Sequence, residues 1–174
     1  MELQKYFSKF LIKQRKRKLT EREYFLTTEL NKILGISVQN IDFYQEAFSI
    51  KSSSKNQDVN YERLEFLGDS VLGTIISCHL FHTYPKANEG YMTQMKSKIV
   101  NRKNLNKLGE DLKLISLLQH TNSGVALGEN ISGNLFEALI GAIYLDLQYD
   151  TCKKIVLERL LTPEEINKLE NKIV

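Results

Sequence analysis

Apolar positions recur every three or four residues along most of this chain, and nowhere do they alternate strictly enough to build a strand. The period predicts helices over Glu21 to Leu34, Asp42 to Phe48, and about Tyr61 to Phe81, the last ending before Pro85. Further helices are expected over Glu89 to Arg102, Asn104 to Asp111, Ser132 to Leu147 and Thr151 to Leu161. Thr20 suits an N-cap, Gly35 a stop, and Thr162-Pro163-Glu164-Glu165 the opening of a last helix. The polar stretch 51–59 and the Gly- and Asn-containing stretch 119–130 read as loops. The expected class is all-α.

Two of these helices carry acids that break the pattern. Glu62, Glu65 and Asp69 stand at i, i+3 and i+7, within roughly a 60° arc of one face at about 100° per residue. Leu64, Leu67, Val71 and Ile75 cluster about half a turn away, where a core stripe belongs. Aligned acids of this kind are either a solvated face or a site for a hard divalent cation, which takes carboxylate oxygens. In the second helix Glu137 is the one ionisable residue between Leu135 and Leu145. A carboxylate in so apolar a run needs a partner. Asn134, one turn earlier on the same face, adds an amide oxygen. An arginine such as Arg63 is one candidate partner for Glu137; a cation shared with the first acid stripe is the stronger one.

Composition narrows the setting. With 174 residues and 42% hydrophobic content, the chain can bury one full-sized core. Cys78 and Cys152 have no metal-ligand spacing and suit a reducing compartment. No apolar run of membrane-spanning length is expected, and the N-terminus lacks a secretory h-region, so no membrane partner and a cytoplasmic location are anticipated. Charge is uneven: residues 1–20 hold seven Lys/Arg against one Glu, and the rest hold seventeen against twenty acids. The run Lys13 to Lys18 is either a solubilising tail or a grip on a polyanion. A second basic stretch, 91–107, carries Lys96, Lys98, Arg102, Lys103 and Lys107 with no acid, and flanks the acidic helices as a nucleic-acid contact would.

The segment Glu62-Arg63-Leu64-Glu65-Phe66-Leu67-Gly68-Asp69-Ser70-Val71-Leu72 closely resembles the hallmark of the ribonuclease III family. Three weaker matches follow the family's order: Ala47 to Ser52, Glu89-Gly90 leading into the basic helix, and Glu137 to Asp146. Together they cover about residues 25 to 161. The resemblance implies the family's endonuclease-domain helical bundle over 21–161, with a basic extension at 1–20 and a C-terminal helix at 162–174 leading toward a linker. It also implies a Mg²⁺-dependent endoribonuclease, with Mn²⁺ able to substitute, that cuts double-stranded RNA to 5′-phosphate and 3′-hydroxyl ends. Processing of ribosomal and messenger precursors would be its setting.

Carried over position by position, Asp69 and Glu137 are catalytic, and Glu65, Asp69, Asn134 and Glu137 are metal ligands. Glu62 and Glu89 are weaker candidates for supporting or substrate-orienting places, and the charge pattern of 91–107, apart from the resemblance, makes Lys96, Lys98, Arg102 and Lys103 the expected RNA contacts. The family acts as a homodimer whose two sites cut both strands. Phe66 is a candidate contact across the two-fold axis, or else ordinary core, and Gly68 and Gly73 permit close helix approach. The family usually has Asp where Asn134 stands, often has histidine where Ile50 stands, and usually appends a double-stranded-RNA-binding domain. Asn134 leaves open a catalytically weak RNA-binding scaffold. A nucleotide hydrolase is a more distant reading, opposed by the basic helix.

Overall fold

The Thr20 side chain accepts from the Glu23 N–H while the Glu23 carboxylate accepts from the Thr20 N–H at 2.8 Å, a capping box that starts α1 (Glu21–Leu34). Gly35 ends that helix at φ 71°, a left-handed turn that glycine adopts without strain. The computed structural model describes residues 18–50, 60–119 and 127–170. Asn40 caps α2 (Ile41–Ala47), and α3 (Glu62–Thr83) follows. Asn88 caps α4 (Glu89–Ile99) and Asn101 caps α5 (Arg102–Asp111), which leads into a 3₁₀ turn at Leu114–Leu117. Next come α6 (Ile131–Ile155), a π-helical turn at Val156–Leu160, and α7 (Pro163–Glu170). Among the described residues there is no strand, and the all-α expectation holds.

The core is built around α3 and α6. Leu64, Leu72, Ile75 and Ile76 of α3 are buried with Leu135, Phe136, Leu139 and Ile143 of α6. Leu26 and Leu30 of α1, Tyr44 of α2, Met95 and Ile99 of α4, and Leu105 of α5 close around them. By length and composition α3 reaches what a membrane crossing needs, contrary to the expectation. Much of that hydropathy is core packing, since Leu64, Leu72, Ile75 and Ile76 are buried, while Phe66 and Phe81 lie exposed and Glu62, Glu65 and Asp69 sit in its first two turns.

Three details depart from the expected elements. The helix from Glu89 stops at Ile99, because Asn101 leaves it to accept from the Asn104 N–H at 2.9 Å and start α5. The two expected helices 132–147 and 151–161 are both present, but they meet at a kink at Gln148, φ 66° and ψ 170°, with no loop between them. No sequence signal marked the Leu114–Leu117 turn. The loop 51–59, most of the loop 119–130, and the basic run up to Arg17 lie outside the described residues.

Candidate active site

Two glycines set the geometry. A Cβ at Gly68 of α3 would overlap the Glu137 carbonyl of α6, and one at Gly141 would overlap the Leu64 carbonyl. The two backbones therefore touch, which only residues without a side chain permit. This crossing lays the start of α3, with Glu65 and Asp69, against the turn of α6 that bears Glu137. Gly68 thus serves packing within the chain. At Gly73, by contrast, the nearest neighbour of a Cβ is the Lys96 Nζ at 3.5 Å, an ordinary contact, so no close helix approach is made there.

The acid-bearing stretch of α6 is held on both sides. At its start, the Asn106 Oδ1 of α5 accepts from the Gly133 N–H at 2.8 Å, and the Asn106 side-chain amide donates to Asn130 at 3.0 Å. Further along, the Asp146 carboxylate accepts from the Gln39 and Asn40 N–H groups at 2.9 and 2.8 Å and from the Tyr44 hydroxyl at 3.0 Å. Burial and the neighbouring Asp146 charge push the Tyr44 hydroxyl's pKa upward, so it stays a donor.

Glu137 is half-buried, and desolvation is the main cause that pushes its pKa up to about 7. The charges of Asp69 and then Glu65 push the same way, while Arg102 opposes them. Glu65 is raised by burial first and by Glu62 next, with Arg102 again opposing. Glu65, Asp69 and Glu137 thus lie within mutual electrostatic reach, and Arg102 is the cation that acts on both glutamates. No ion pair or hydrogen bond reaches the Glu137 carboxylate from the described residues, and none reaches the Asn134 side chain. Arg63 does not pair with Glu137; it lines a groove with Phe43, Glu46 and Phe66.

No three His, Cys, Asp or Glu side chains among the described residues are gathered into a ready-made cation site. Like charges with little to neutralise them hold their side chains apart. In kind the donors fit a hard divalent cation: three carboxylates and a neutral amide oxygen on two rigid helices.

The other predicted residues spread around this cluster. Lys96 lies over α3 in a depression that also holds Asp69 and Ser70. Arg102 and Lys103 line a larger groove of about 940 Å³ with Asn106, Lys107 and Lys168. Lys98 is half-buried, and its carbonyl accepts from the Asn101 amide at 2.7 Å. Glu62 is exposed on the Phe66 side. Glu89 is not drawn into the cluster: it accepts from the Thr93 hydroxyl at 2.7 Å beside Phe81. Phe66 is not core, being 79% exposed. Sequence reasoning missed Asn106 as a strut and Arg102 as the cluster's cation; their i, i+4 spacing on one helix face was the available signal.

The helical domain thus sets carboxylates of two crossing helices beside basic grooves. The sequence profile of the ribonuclease III domain matches residues 62–148. Ribonuclease 3 of Flavobacterium psychrophilum is 45% identical over 152 residues, 84% of this chain and 62% of that protein. The Ribonuclease 3 of Zunongwangia profunda is 44% identical over 151 residues, 83% and 62% respectively. A solved nuclease domain of ribonuclease III from Campylobacter jejuni, described for flexibility in a region involved in dimer formation, superposes with a TM-score of 0.68. It is 31% identical and aligned over 76% of this chain and 94% of its own. Dicer from Giardia intestinalis, at 20% identity and a TM-score of 0.69, shares the fold over 92% of this chain and 22% of its own. The chain belongs to the ribonuclease III family. It spans 62% of the length of each of these two curated relatives. Membership implies a divalent metal cofactor.

Proposed function

We propose that this protein is an endoribonuclease that hydrolyses phosphodiester bonds of double-stranded RNA with Mg²⁺, leaving 5′-phosphate and 3′-hydroxyl ends. The observation that carries the reading is the Gly68–Gly141 crossing, which sets Glu65 and Asp69 against Glu137. Glu65, Asp69, Asn134 and Glu137 would hold the metal, and Mn²⁺ would substitute. When bound, the ion activates water and stabilises charge on the phosphate and the leaving oxygen. Asp69 and Glu137 are the catalytic pair. Asp69 is exposed at the rim beside Lys96, so a phosphate gripped by the lysine ammonium lies against its carboxylate. Arg102 and Lys103 add positive charge on the wall of the large groove, and Lys98 on α4 is a further candidate RNA contact. Glu62 and Glu89 stand at the edges and act through the field they impose. An A-form duplex would be read by shape, phosphates and 2′-hydroxyls, with little sequence preference and a steep salt dependence. Ribosomal and messenger precursors fit such a substrate.

The active form is a homodimer. Phe66, Ser70, Gly73, Ser77 and Phe81 share one face of α3, and Phe66 and Phe81 are 79% and 64% exposed. Exposed phenylalanines at both ends of a small-residue stripe suit an isologous contact with a second copy.

A second reading, an RNA-binding scaffold with weak catalysis, is favoured by the neutral Asn134 and by the absence of a ready-made cation site among the described residues. A long RNA duplex incubated with and without Mg²⁺ and run on a denaturing gel separates the two. Metal-dependent cleavage is the expected result. A gel shift with no cleavage at any metal concentration selects the scaffold.

A further inference from the structure

The groove of about 940 Å³ joins α5 to the C-terminal helix α7. Lys103, Asn106, Lys107 and Glu110 stand at i, i+3, i+4 and i+7, one stripe of α5, and all four line it, while Leu105 and Gly109 of the same helix are buried. From α7 come Glu165, Lys168 and Leu169, and from the turn before α6 come Glu129 and Asn130.

The anchoring of α7 presents Lys168 to this groove. The Glu165 carboxylate accepts from the Thr162 N–H at 2.8 Å and from its hydroxyl at 3.3 Å, which ties down the start of the helix. Ile166 is buried and Leu169 packs on the core, so the exposed Lys168 rides on a fixed backbone.

The cations of the lining stay available. Arg102, Lys103 and Lys168 make no ion pair or hydrogen bond among the described residues, although acids share the groove with them. Lys107 approaches Asp111 only at 3.9 Å, with both side chains exposed, a pair too loose to neutralise it. The amide oxygens are already engaged: Asn101 accepts from Asn104, Asn106 from Gly133 and Asn130 from Asn106. Exposed Glu110 and Glu129 are left as acceptors without a partner among the described residues.

Resting on the duplex-RNA reading above, we propose that this groove is a second grip on the RNA backbone, in which Lys107 of α5 and Lys168 of α7 take phosphates and Glu110 and Glu129 accept from 2′-hydroxyls. Free cations suit a polyanion, and acceptors set among them suit ribose rather than deoxyribose. A protein segment fits less well. Leu108 and Leu169 are the only apolar side chains of the lining, and the two exposed glutamates repel an acidic peptide. The C-terminal helix thereby belongs to the RNA-binding surface.

Fluorescence anisotropy of a labelled RNA duplex, titrated in EDTA at several salt concentrations, tests this without cleavage. Lys168→Gln should weaken binding roughly fivefold and reduce the salt slope by about one, as the loss of one phosphate contact requires. Lys107→Gln should do the same, and the double variant should lose about two units of slope. Lys32→Gln is the control, since that ammonium lies on α1 and is bonded to Glu29 at 2.6 Å. Replacing Glu110 and Glu129 together by alanine should narrow the preference for an RNA over a DNA duplex of the same sequence roughly fivefold. Unchanged affinity and slope in Lys168→Gln, while the unsubstituted protein binds the duplex, overturn the role of the groove alone. Absence of duplex binding by the unsubstituted protein overturns the duplex-RNA reading and this proposal with it. Circular dichroism confirms that each variant is folded.

Discussion

Two acids on the same helix, nine positions apart, have opposite circumstances. Asp146 receives two backbone N–H groups and the Tyr44 hydroxyl, so the fold itself supplies its partners. Glu137 receives none from the described residues, lies half-buried, and is pushed up to about 7, first by burial and then by neighbouring carboxylates. An acid whose partners the fold supplies holds elements together; a half-buried one that is unsatisfied and faces other acids destabilises the fold until a cation arrives. The comparison therefore assigns structure to Asp146 and chemistry to Glu137.

The largest separation should appear in paired substitutions. Glu137→Gln should reduce duplex cleavage by roughly a thousandfold or more, as expected when a metal ligand is lost, with the thermal midpoint of the metal-free protein unchanged or raised. Asp146→Ala should do the reverse. It orphans two backbone donors and the buried Tyr44 hydroxyl and should cost about 3 kcal/mol, read as a lower urea midpoint. Cleavage per folded molecule should persist. If Asp146→Ala spared stability and abolished cleavage, the assignment would be inverted.

Gly68→Ala probes the platform under both acids. The added methyl meets the Glu137 carbonyl, a backbone atom that cannot swing away. About 3 kcal/mol of destabilisation is expected, comparable to other severe overpacking. Gly73→Ala, facing only the flexible end of Lys96, should cost little and serves as the control.

Titration offers a smaller, signed test. A carboxyl whose pKa is raised in the folded chain keeps a proton that the unfolded chain has released. Stability of the metal-free protein should therefore fall as pH rises from the ordinary carboxylate range toward about 7, and level off above it. Glu65 adds to the same trend. Melting curves between pH 5 and pH 8 check this, and Glu137→Gln should flatten the slope. A wild-type slope that rises over that interval would contradict the placement of Glu137.

How much could be read in advance follows from how local each cause is. The α1 boundaries were visible because Thr20 and Gly35 act on their own helix. The acids stood out because charge interrupts an apolar period. Asp146 was read only as the end of a motif, since its donors come from residues about a hundred positions earlier. Phe66 stayed ambiguous because periodicity cannot tell a core face from a face awaiting a second copy. Arg102 was counted with the RNA-contacting residues, because only the folded chain shows that its charge reaches Glu65 and Glu137. The break after Leu147 was read correctly, but not that a single residue, Gln148, makes it at a positive φ. Gln148→Gly should therefore raise stability by about 1 kcal/mol, measurable as a small increase in urea midpoint.

Anomalous diffraction from a crystal soaked in Mn²⁺ addresses the shared-cation claim most directly. A peak bounded by oxygens of Glu65 or Asp69 on α3 and of Glu137 on α6 is the expected result. A map in which Glu137 is closed off by an arginine or lysine, with no manganese between the two helices at saturating concentration, would contradict it.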